Sequence, residues 1–295
     1  MPPRTFELPG QRAQMFTVDV DSGETELVHE STSLLFEAPN WSSDGQWLVF
    51  NGDGRLFRIR PTAGAEAEEI PLGGVPPINN DHVLSPDGST VYVSADDGHL
   101  WAVSLGGGEP RRVSNDRGPD FVYYLHGISP DGRSLAYIGL VRHPDGSATT
   151  NVWTIPSGGG EDVQITDDEF PDDGSEFSPD GRWIYFNSER ARTAPGHAQL
   201  FRTSLDGAVV EQLTHDERVN WFPHPSPDGA RVAYISFPSG TLGHPADRDV
   251  LLRLREADGT IRDVAALFGG QGTVNVPSWA PDGRRLAYVA YPVEQ

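Results

Sequence analysis

The chain has 295 residues, which suits one large all-β domain or two smaller ones. It carries 43 acidic and 22 basic side chains, and a net charge of -21 repels phosphate backbones and anionic lipid, which excludes nucleic acid and membrane surfaces as favourable partners. Every basic residue is arginine and cysteine is absent, which excludes lysine Schiff bases, thiol nucleophiles, disulfides and thiolate metal sites.

The N-terminal segment and the hydropathy of the chain bear on location. The segment "MPPRTFELPGQRAQMF" contains no apolar leader region, and no later stretch is long and apolar enough to span a membrane. We therefore expect a cytoplasmic protein. A periplasmic or secreted location would require a leader that has been removed.

In chain order, two predicted strands come first, "QMFTVDV" (14–20) and "TELVHES" (25–31). Six copies of one pattern follow: "APNWSSDGQWLVF", "DHVLSPDGSTVYV", "LHGISPDGRSLAYI", "GSEFSPDGRWIYF", "PHPSPDGARVAYI" and "PSWAPDGRRLAYV". Their turn aspartates are separated by 43, 44, 49, 48 and 54 residues and are Asp44, Asp87, Asp131, Asp180, Asp228 and Asp282. This spacing is typical of four-stranded propeller blades.

Each copy predicts four strands. Strand A precedes the turn and strand B, with alternating apolar residues, follows it; strand C ("HLWAVSL", "NVWTIPS") and strand D ("DVQITD", "VEQLTH") complete the unit. In the turn, proline presets φ, aspartate accepts hydrogen bonds from the backbone and glycine adopts a positive φ. The turn aspartates are therefore predicted to be structural.

The two ends of the chain are complementary. The first two strands are of types C and D without A or B, and the last copy supplies A and B without C or D. We therefore predict an all-β fold: one domain over residues 1–295, a six-bladed β-propeller of four-stranded blades whose ring is closed by N-terminal C and D strands pairing with C-terminal A and B strands. A closed ring leaves no open sheet edge, so a monomer is expected.

The repeated unit, of the form xWSPDGxxIaFxS…LT, resembles the repeat of TolB-like six-bladed propellers over nearly the whole chain. "GGQGTVNVPSWAPDG" and "NWFPHPSPDG" resemble the free-standing TolB-like proteins of bacteria. A more distant similarity is to oligogalacturonate lyase, and this resemblance implies a divalent metal held by histidines and a glutamine. The fold itself hosts many activities.

The residues that begin the A strands are expected to surround one end of the central channel. They place His82, His126 and His224, from three different blades, around one axis, with Asn40, Asn80, Asp81, Tyr124, Glu176 and Asn275 beside them. His82 and His126 lie three residues before the turn serine and His224 two, so strand alternation would separate them in the middle of a strand. The alternative is that they line a water-filled channel.

Neutral imidazoles with carboxylates and an amide suit manganese, zinc or iron, or calcium where carboxylates dominate. Gln271, in the loop "FGGQGTVN", is the candidate amide. No sequence fingerprint indicates a nucleotide or organic cofactor. The predicted metal ligands are His82, His126, His224 and Gln271.

Other candidates each have a structural alternative. Glu189, Arg190 and Arg192 could clamp a substrate carboxylate or form an exposed ion-pair loop. The segment "HPADRD" (244–249) could cover the channel or be an ordered surface loop, and Trp221 and Tyr124 could stack on a sugar or pack in the core.

These residues suggest two functions. In the first, the channel binds a small polar or sugar-like ligand, and the protein is a metal-dependent lyase or hydrolase acting on a carbohydrate or sugar acid. The assigned catalytic residues are His126, Glu176, Arg190 and Tyr124, and the assigned ligand contacts are Asn40, Asn80, Asp81, Trp221 and Asn275. In the alternative, the propeller is a non-catalytic scaffold of the TolB type that binds a protein partner.

Overall fold

A computed structural model describes residues 4–191 and 193–294 of the chain. The described residues contain β-strands and no α-helix, and they include no helix of the length and apolarity that crossing a bilayer requires. The strands form six separate sheets, which confirms the predicted all-β propeller with six blades.

The first five blades each contain four antiparallel strands in chain order. Blade 1 contains β3 (Phe36–Trp41), β4 (Leu48–Gly52), β5 (Arg55–Ile59) and β6 (Glu68–Ile70). Blade 2 contains β7 (Ile78–Leu84), β8 (Thr90–Ala95), β9 (Leu100–Ser104) and β10 (Arg111–Arg112). Blade 3 contains β11 (Phe121–Ile128), β12 (Ser134–Arg142), β13 (Ala148–Pro156) and β14 (Val163–Gln164). Blade 4 contains β15 (Asp172–Phe177), β16 (Trp183–Ser188), β17 (Gln199–Ser204) and β18 (Val210–Gln212). Blade 5 contains β19 (Val219–Pro225), β20 (Arg231–Phe237), β21 (Arg248–Glu256) and β22 (Ile261–Gly269).

Blade 6 closes the ring as predicted, with β23 (Arg285–Ala290) pairing with β1 (Ala13–Asp19), which pairs with β2 (Thr25–Ser31). Its expected inner strand is not a regular strand. The segment 273–280 makes one isolated bridge, Trp279 to Leu286, and three backbone hydrogen bonds join it to β23. Pro277 and Pro281 flank that bridge and have no backbone N–H to donate, so the ladder cannot continue through them.

The repeated turns are held by side-chain hydrogen bonds. In five of them the serine hydroxyl donates to Oδ1 of the aspartate two residues later at 2.6 Å; the serines are Ser42, Ser85, Ser129, Ser178 and Ser226. The sixth turn has Ala280 in that position, and Asp282 still accepts from the amide of Arg284 at 2.9 Å. The aspartates shape these turns, as the sequence predicts.

The inner strands of the first five blades all contain a β-bulge. The register shifts between Glu37 and Asn40, Ile78 and His82, Leu125 and Gly127, Asp173 and Glu176, and Trp221 and His224. A bulge adds an unpaired residue, bends the strand and redirects its side chains. Which residues reach the channel is therefore decided by the bulges and not by strict alternation along each strand.

Candidate functional site

A cavity of about 540 Å³ lies at the end of the channel where the inner strands begin. Six of the predicted site residues line it: Asn80, Asp81, Tyr124, His126, Gln271 and Asn275. The other six predicted site residues do not line it: Asn40, His82, Glu176, Arg190, Trp221 and His224. Half of the residues that the sequence proposes for the site therefore line this cavity, and the other half do not.

His126 reaches the cavity because it occupies the bulge of β11, where Leu125 and Gly127 are paired and His126 is not. The ring is 4 % exposed, and both of its nitrogens face acceptors. Nε2 lies 2.9 Å from Oδ1 of Asp173, and Nδ1 lies 3.3 Å from the carbonyl oxygen of Asn275. Two acceptors suit an imidazolium that donates from both nitrogens.

The charges around His126 explain its titration. Burial alone would lower its pKa, but the carboxylates of Asp81 and Asp173 outweigh burial and raise the pKa to about 9. Burial raises the pKa of Asp81 to about 6, with the nearby charge of Asp173 adding to the rise and that of His126 opposing it. The cavity thus contains a cationic imidazole beside a carboxyl group that titrates near neutrality.

The segment 244–249 contributes to the wall, and its side chains join the same cluster. His244 Nε2 lies 3.5 Å from Oδ2 of Asp173, so this one carboxylate contacts two histidines. His244 Nδ1 lies 2.5 Å from Oε1 of Gln271, and its ring packs 4.5 Å from that of Trp221. Trp221 therefore supports the loop from behind instead of stacking on a ligand.

Phe222 lines the cavity and was not predicted from the sequence. Its backbone has φ 55°, a left-handed conformation that is costly for a bulky side chain. In the bulge of β19 its ring is stacked against His126 at 5.8 Å and lies edge-on to His244 at 5.1 Å. Strained residues persist where their surroundings over-determine them, often at ligand sites. The "NWFPH" motif contains no local signal for this conformation.

His82 does not line the cavity. Unlike His126, it is paired in register, with Val93, and its ring points to blade 1, where Nε2 lies 3.3 Å from the carbonyl oxygen of Val49. It is fully buried, and burial lowers its pKa to about 4, so it is a neutral core histidine.

His224 and Glu176 form a buried pair between blades 5 and 4. Nδ1 of His224 lies 2.6 Å from Oε2 of Glu176, and Nε2 lies 2.9 Å from the carbonyl oxygen of Val274. Burial raises the pKa of Glu176, although the facing His224 opposes the rise. Both side chains connect strands beside the channel and neither faces the cavity.

Arg190 is also engaged within the fold. Its Nη2 donates to both oxygens of Asp172, at 2.8 and 2.9 Å, and lies 3.3 Å from Asp168. Asp172 is 2 % exposed, so this pair is a largely buried salt bridge at the start of β15. The proposed clamp on a substrate carboxylate is thus already occupied by a carboxylate of the chain; Arg192 lies outside the described residues.

The segment 270–278 contributes Gln271 and Asn275 to the lining of the cavity. It pairs with blade 6 only in part and also contacts other blades: the carbonyl of Gly272 accepts from the amide of Ala38 in blade 1, and the carbonyl of Asn275 faces His126 in blade 3. Asn40 donates to the carbonyl of Pro277, also from blade 1. The segment is therefore fixed between blades 1, 3 and 6, and polar contacts of Asn40 and Asn275 help to hold it.

Two buried amides at the cavity have an atom without a partner. Oδ1 of Asn51 and Nδ2 of Asn80 make no hydrogen bond within the described part of the chain, and the residues are 3 % and 6 % exposed. A buried polar atom without a partner costs on the order of 1–3 kcal/mol. Such atoms in native structures require an explanation, and an absent ligand is one.

The donor set does not fit the metal centre expected from the sequence. No group of three or more histidine, aspartate or glutamate side chains within residues 4–191 and 193–294 is arranged to hold a metal ion. The ring nitrogens of His126 and His224 face protein acceptors, and His82 lies apart. The three histidines and Gln271 are thus not brought together as one ligand set, and no reaction step is derived through a metal.

Comparison with known proteins identifies relatives of the whole chain. "Uncharacterized protein Atu1656" of Agrobacterium fabrum is 39 % identical over 270 residues, which cover 89 % of this chain and 87 % of that protein. A solved structure from Agrobacterium tumefaciens, provisionally assigned as TolB, superposes with a TM-score of 0.86 at 35 % identity and covers 96 % of this chain and 99 % of that one. No family model matches the chain.

A more distant structure is oligogalacturonate lyase in complex with manganese, with a TM-score of 0.59 at 17 % identity over 88 % of this chain and 75 % of that one. At this identity the similarity shows a shared fold alone. The six blades, the ring closure and the two Agrobacterium relatives lead to one assignment: the chain belongs to the TolB-like six-bladed β-propellers.

Proposed function

We propose that this propeller binds a small hydroxyl-bearing ligand of the carbohydrate class in the cavity at the end of its channel. The pair of unsatisfied amides carries the proposal, because Asn51 offers an acceptor and Asn80 a donor at the same cavity. A hydroxyl group has one donor and two acceptor lone pairs, so ligand hydroxyls can satisfy both amides. Tyr124 and Phe222 add aromatic surface on which the apolar face of a sugar ring can pack.

Catalysis on such a ligand is a second candidate, favoured by the titration of the cluster. The pKa of Asp81 is about 6 and that of His126 about 9, so near neutral pH the first is a base and the second an acid. Neighbouring groups whose pKa values are pushed apart are typical of acid–base pairs. The role of base first assigned to Glu176 would then belong to Asp81, with His126 as the acid, in a hydrolysis or elimination.

The non-catalytic scaffold remains the alternative. A similar relative, from Francisella tularensis, is named a Tol-Pal system protein, and the chain covers 60 % of it at 22 % identity. A protein partner would use the rim loops and would not need the unsatisfied amides of the cavity. The monomeric state, the single domain and the cytoplasmic location stay predictions.

The test measures the binding of a panel of mono- and disaccharides by saturation-transfer NMR. Asn80→Ala removes the unpartnered donor, so we expect binding to weaken at least ~10-fold with the melting temperature unchanged or raised. Ser175→Ala is the matched control, because Ser175 Oγ is also buried without a partner among the described residues but does not line the cavity. The proposal fails if no saccharide binds the wild type, or if Asn80→Ala binds as the wild type does.

A further inference from the structure

The balance of charge in the cavity selects among hydroxyl-bearing ligands. Four carboxylates line it: Glu37, Asp53, Asp81 and Asp173. The cationic or titratable basic groups that line it are Arg4, His126 and His244. Which carboxylates these groups already neutralise can be read from the contacts.

Three of the carboxylates have a cation of their own. Arg4 Nη1 lies 3.5 Å from Glu37, and its Nη2 lies 3.0 Å from Asp247 at the rim. Asp53 lies 3.5 Å from Arg55 outside the cavity. Asp173 is bridged by the two histidines.

Among the described residues, Asp81 is the lining carboxylate without an ion-pair contact. The charge of His126 is near enough to oppose the rise in the pKa of Asp81, but the contact of His126 is with Asp173. Within the described part of the chain Asp81 has no salt-bridge partner, and the one hydrogen bond its side chain accepts is from Asn79 Nδ2 to Oδ2, at 2.7 Å. It is 4 % exposed and lines the cavity. A buried carboxylate without a direct ion-pair contact is costly, and a cationic ligand group that makes this contact can remove that cost.

The cations that a sugar acid would need are not free. Arg190 is paired with Asp172 away from the cavity, and Arg4 is held by Glu37, Asp247 and the carbonyl of Gln271 at 2.6 Å. An anionic ligand would place its charge close to the surplus carboxylate, and the net charge of -21 would also slow its approach.

We propose that the ligand carries a protonated amine together with its hydroxyls, as an amino sugar does, and that Asp81 receives the ammonium group. This inference rests on the proposed function, because the hydroxyls are those that satisfy Asn51 and Asn80. Tyr124 and Phe222 line the same cavity, and the faces of aromatic rings attract cations. The ligand class is therefore neutral to cationic and excludes uronates.

The test compares three probes of similar size, glucosamine, glucose and glucuronate, by isothermal titration calorimetry near pH ~7, where Asp81 is largely ionised. We expect glucosamine to bind at least ~10-fold more tightly than glucose, and glucuronate more weakly than glucose. Asp81→Asn keeps the shape and removes the charge, so glucosamine and glucose should then differ by less than about 2-fold. Glu66→Gln removes one exposed carboxylate elsewhere and should preserve the preference.

The outcomes separate the two proposals. Equal binding of glucose and glucosamine, a preference for glucuronate, or an amine preference that survives Asp81→Asn would overturn the inference while leaving saccharide binding intact. Manganese alone, bound stoichiometrically by the wild type and lost in Asp81→Asn, would overturn it in favour of a metal cation. If none of the sugars binds, the proposed function fails, and the inference fails with it.

Discussion

The titration of His126 should make the stability of the protein fall in mildly alkaline solution. The ring pKa is raised from 6.5 to about 9 in the fold, so the folded state holds a proton that the unfolded chain has released. That stabilisation is fully present below pH 6.5 and is lost as the pH rises through about 9. At 1.36 kcal/mol per pKa unit the loss is about 3 kcal/mol. The lowered pKa of Asp173 arises from the same contact and is not added.

The assay is urea unfolding at a series of pH values between about 6.5 and 10, for the wild type and for His126→Gln. Groups that titrate equally in both proteins cancel in the difference, and the wild type should lose its advantage as the pH rises. Ring proton shifts followed by NMR give the pKa directly, and Asp173→Asn should lower it. Two stability curves that stay parallel up to pH ~10, or a His126 pKa at or below its ordinary value, would refute the account of this cluster.

Three further changes test other parts of the structure by denaturant unfolding. His82 is buried with its pKa lowered to about 4, so the wild type should lose about 3 kcal/mol more than His82→Leu as the pH falls from 6.5 to 4; equal acid sensitivity of the two proteins would contradict a neutral ring in the fold. Gly127→Ala would place a Cβ 2.7 Å from the carbonyl oxygen of Ser175, and a cost of about 1–3 kcal/mol is expected; an unchanged midpoint would mean that blades 3 and 4 are not this close. Ser85→Ala removes the hydrogen bonds with Asp87 and with the amide of Thr90 and should lower the free energy of unfolding by about 1 kcal/mol. An unchanged free energy would mean that the backbone alone stabilises this turn.

The fold was predictable because its signals are local. A Ser-Pro-Asp-Gly turn is held by hydrogen bonds within six residues, as between Ser178, Asp180 and Trp183. The sequence of one copy therefore contains all the residues that form its turn. The ring closure follows from counting strand types at the two ends. The irregular inner segment of blade 6 was missed, although Pro277 and Pro281 are the signal that could have indicated it.

The site was predictable only in part because its geometry depends on bulges and on distant contacts. His82 and His126 occupy the same position relative to the turn, yet only His126 lies in a bulge, so one faces blade 1 and the other the cavity. Strand alternation cannot distinguish them. Asp173 lies three residues before Glu176 in the same acidic stretch, and nothing in the sequence says which carboxylate meets a histidine of a neighbouring blade.

The pairing of Arg190 with Asp172 shows a second limit. An arginine in a long loop is available for a ligand unless the chain supplies a carboxylate of its own, and Asp172 is 18 residues away in sequence. Asp81 is the opposite case: it is a candidate ligand contact because no side chain among the described residues forms a salt bridge with it. Sequence motifs contain the residue types, whereas the pairing among them is a property of the assembled ring.

The segment 270–278 connects the cavity to the seam of the ring, by which we mean the pairing of β23 with β1. This segment leads through a Pro-Asp-Gly turn into β23, which pairs with β1, so separating the two ends of the chain would also disturb the part of the cavity wall that Gln271 and Asn275 form. Ligand binding and closure of the seam are then thermodynamically linked. A ligand at 100 times its dissociation constant would stabilise the closed seam by about 2.7 kcal/mol, and amide hydrogen exchange along β1 and β23 would slow accordingly. A bound ligand would therefore help to keep the ring closed at the one place where no covalent bond joins neighbouring strands.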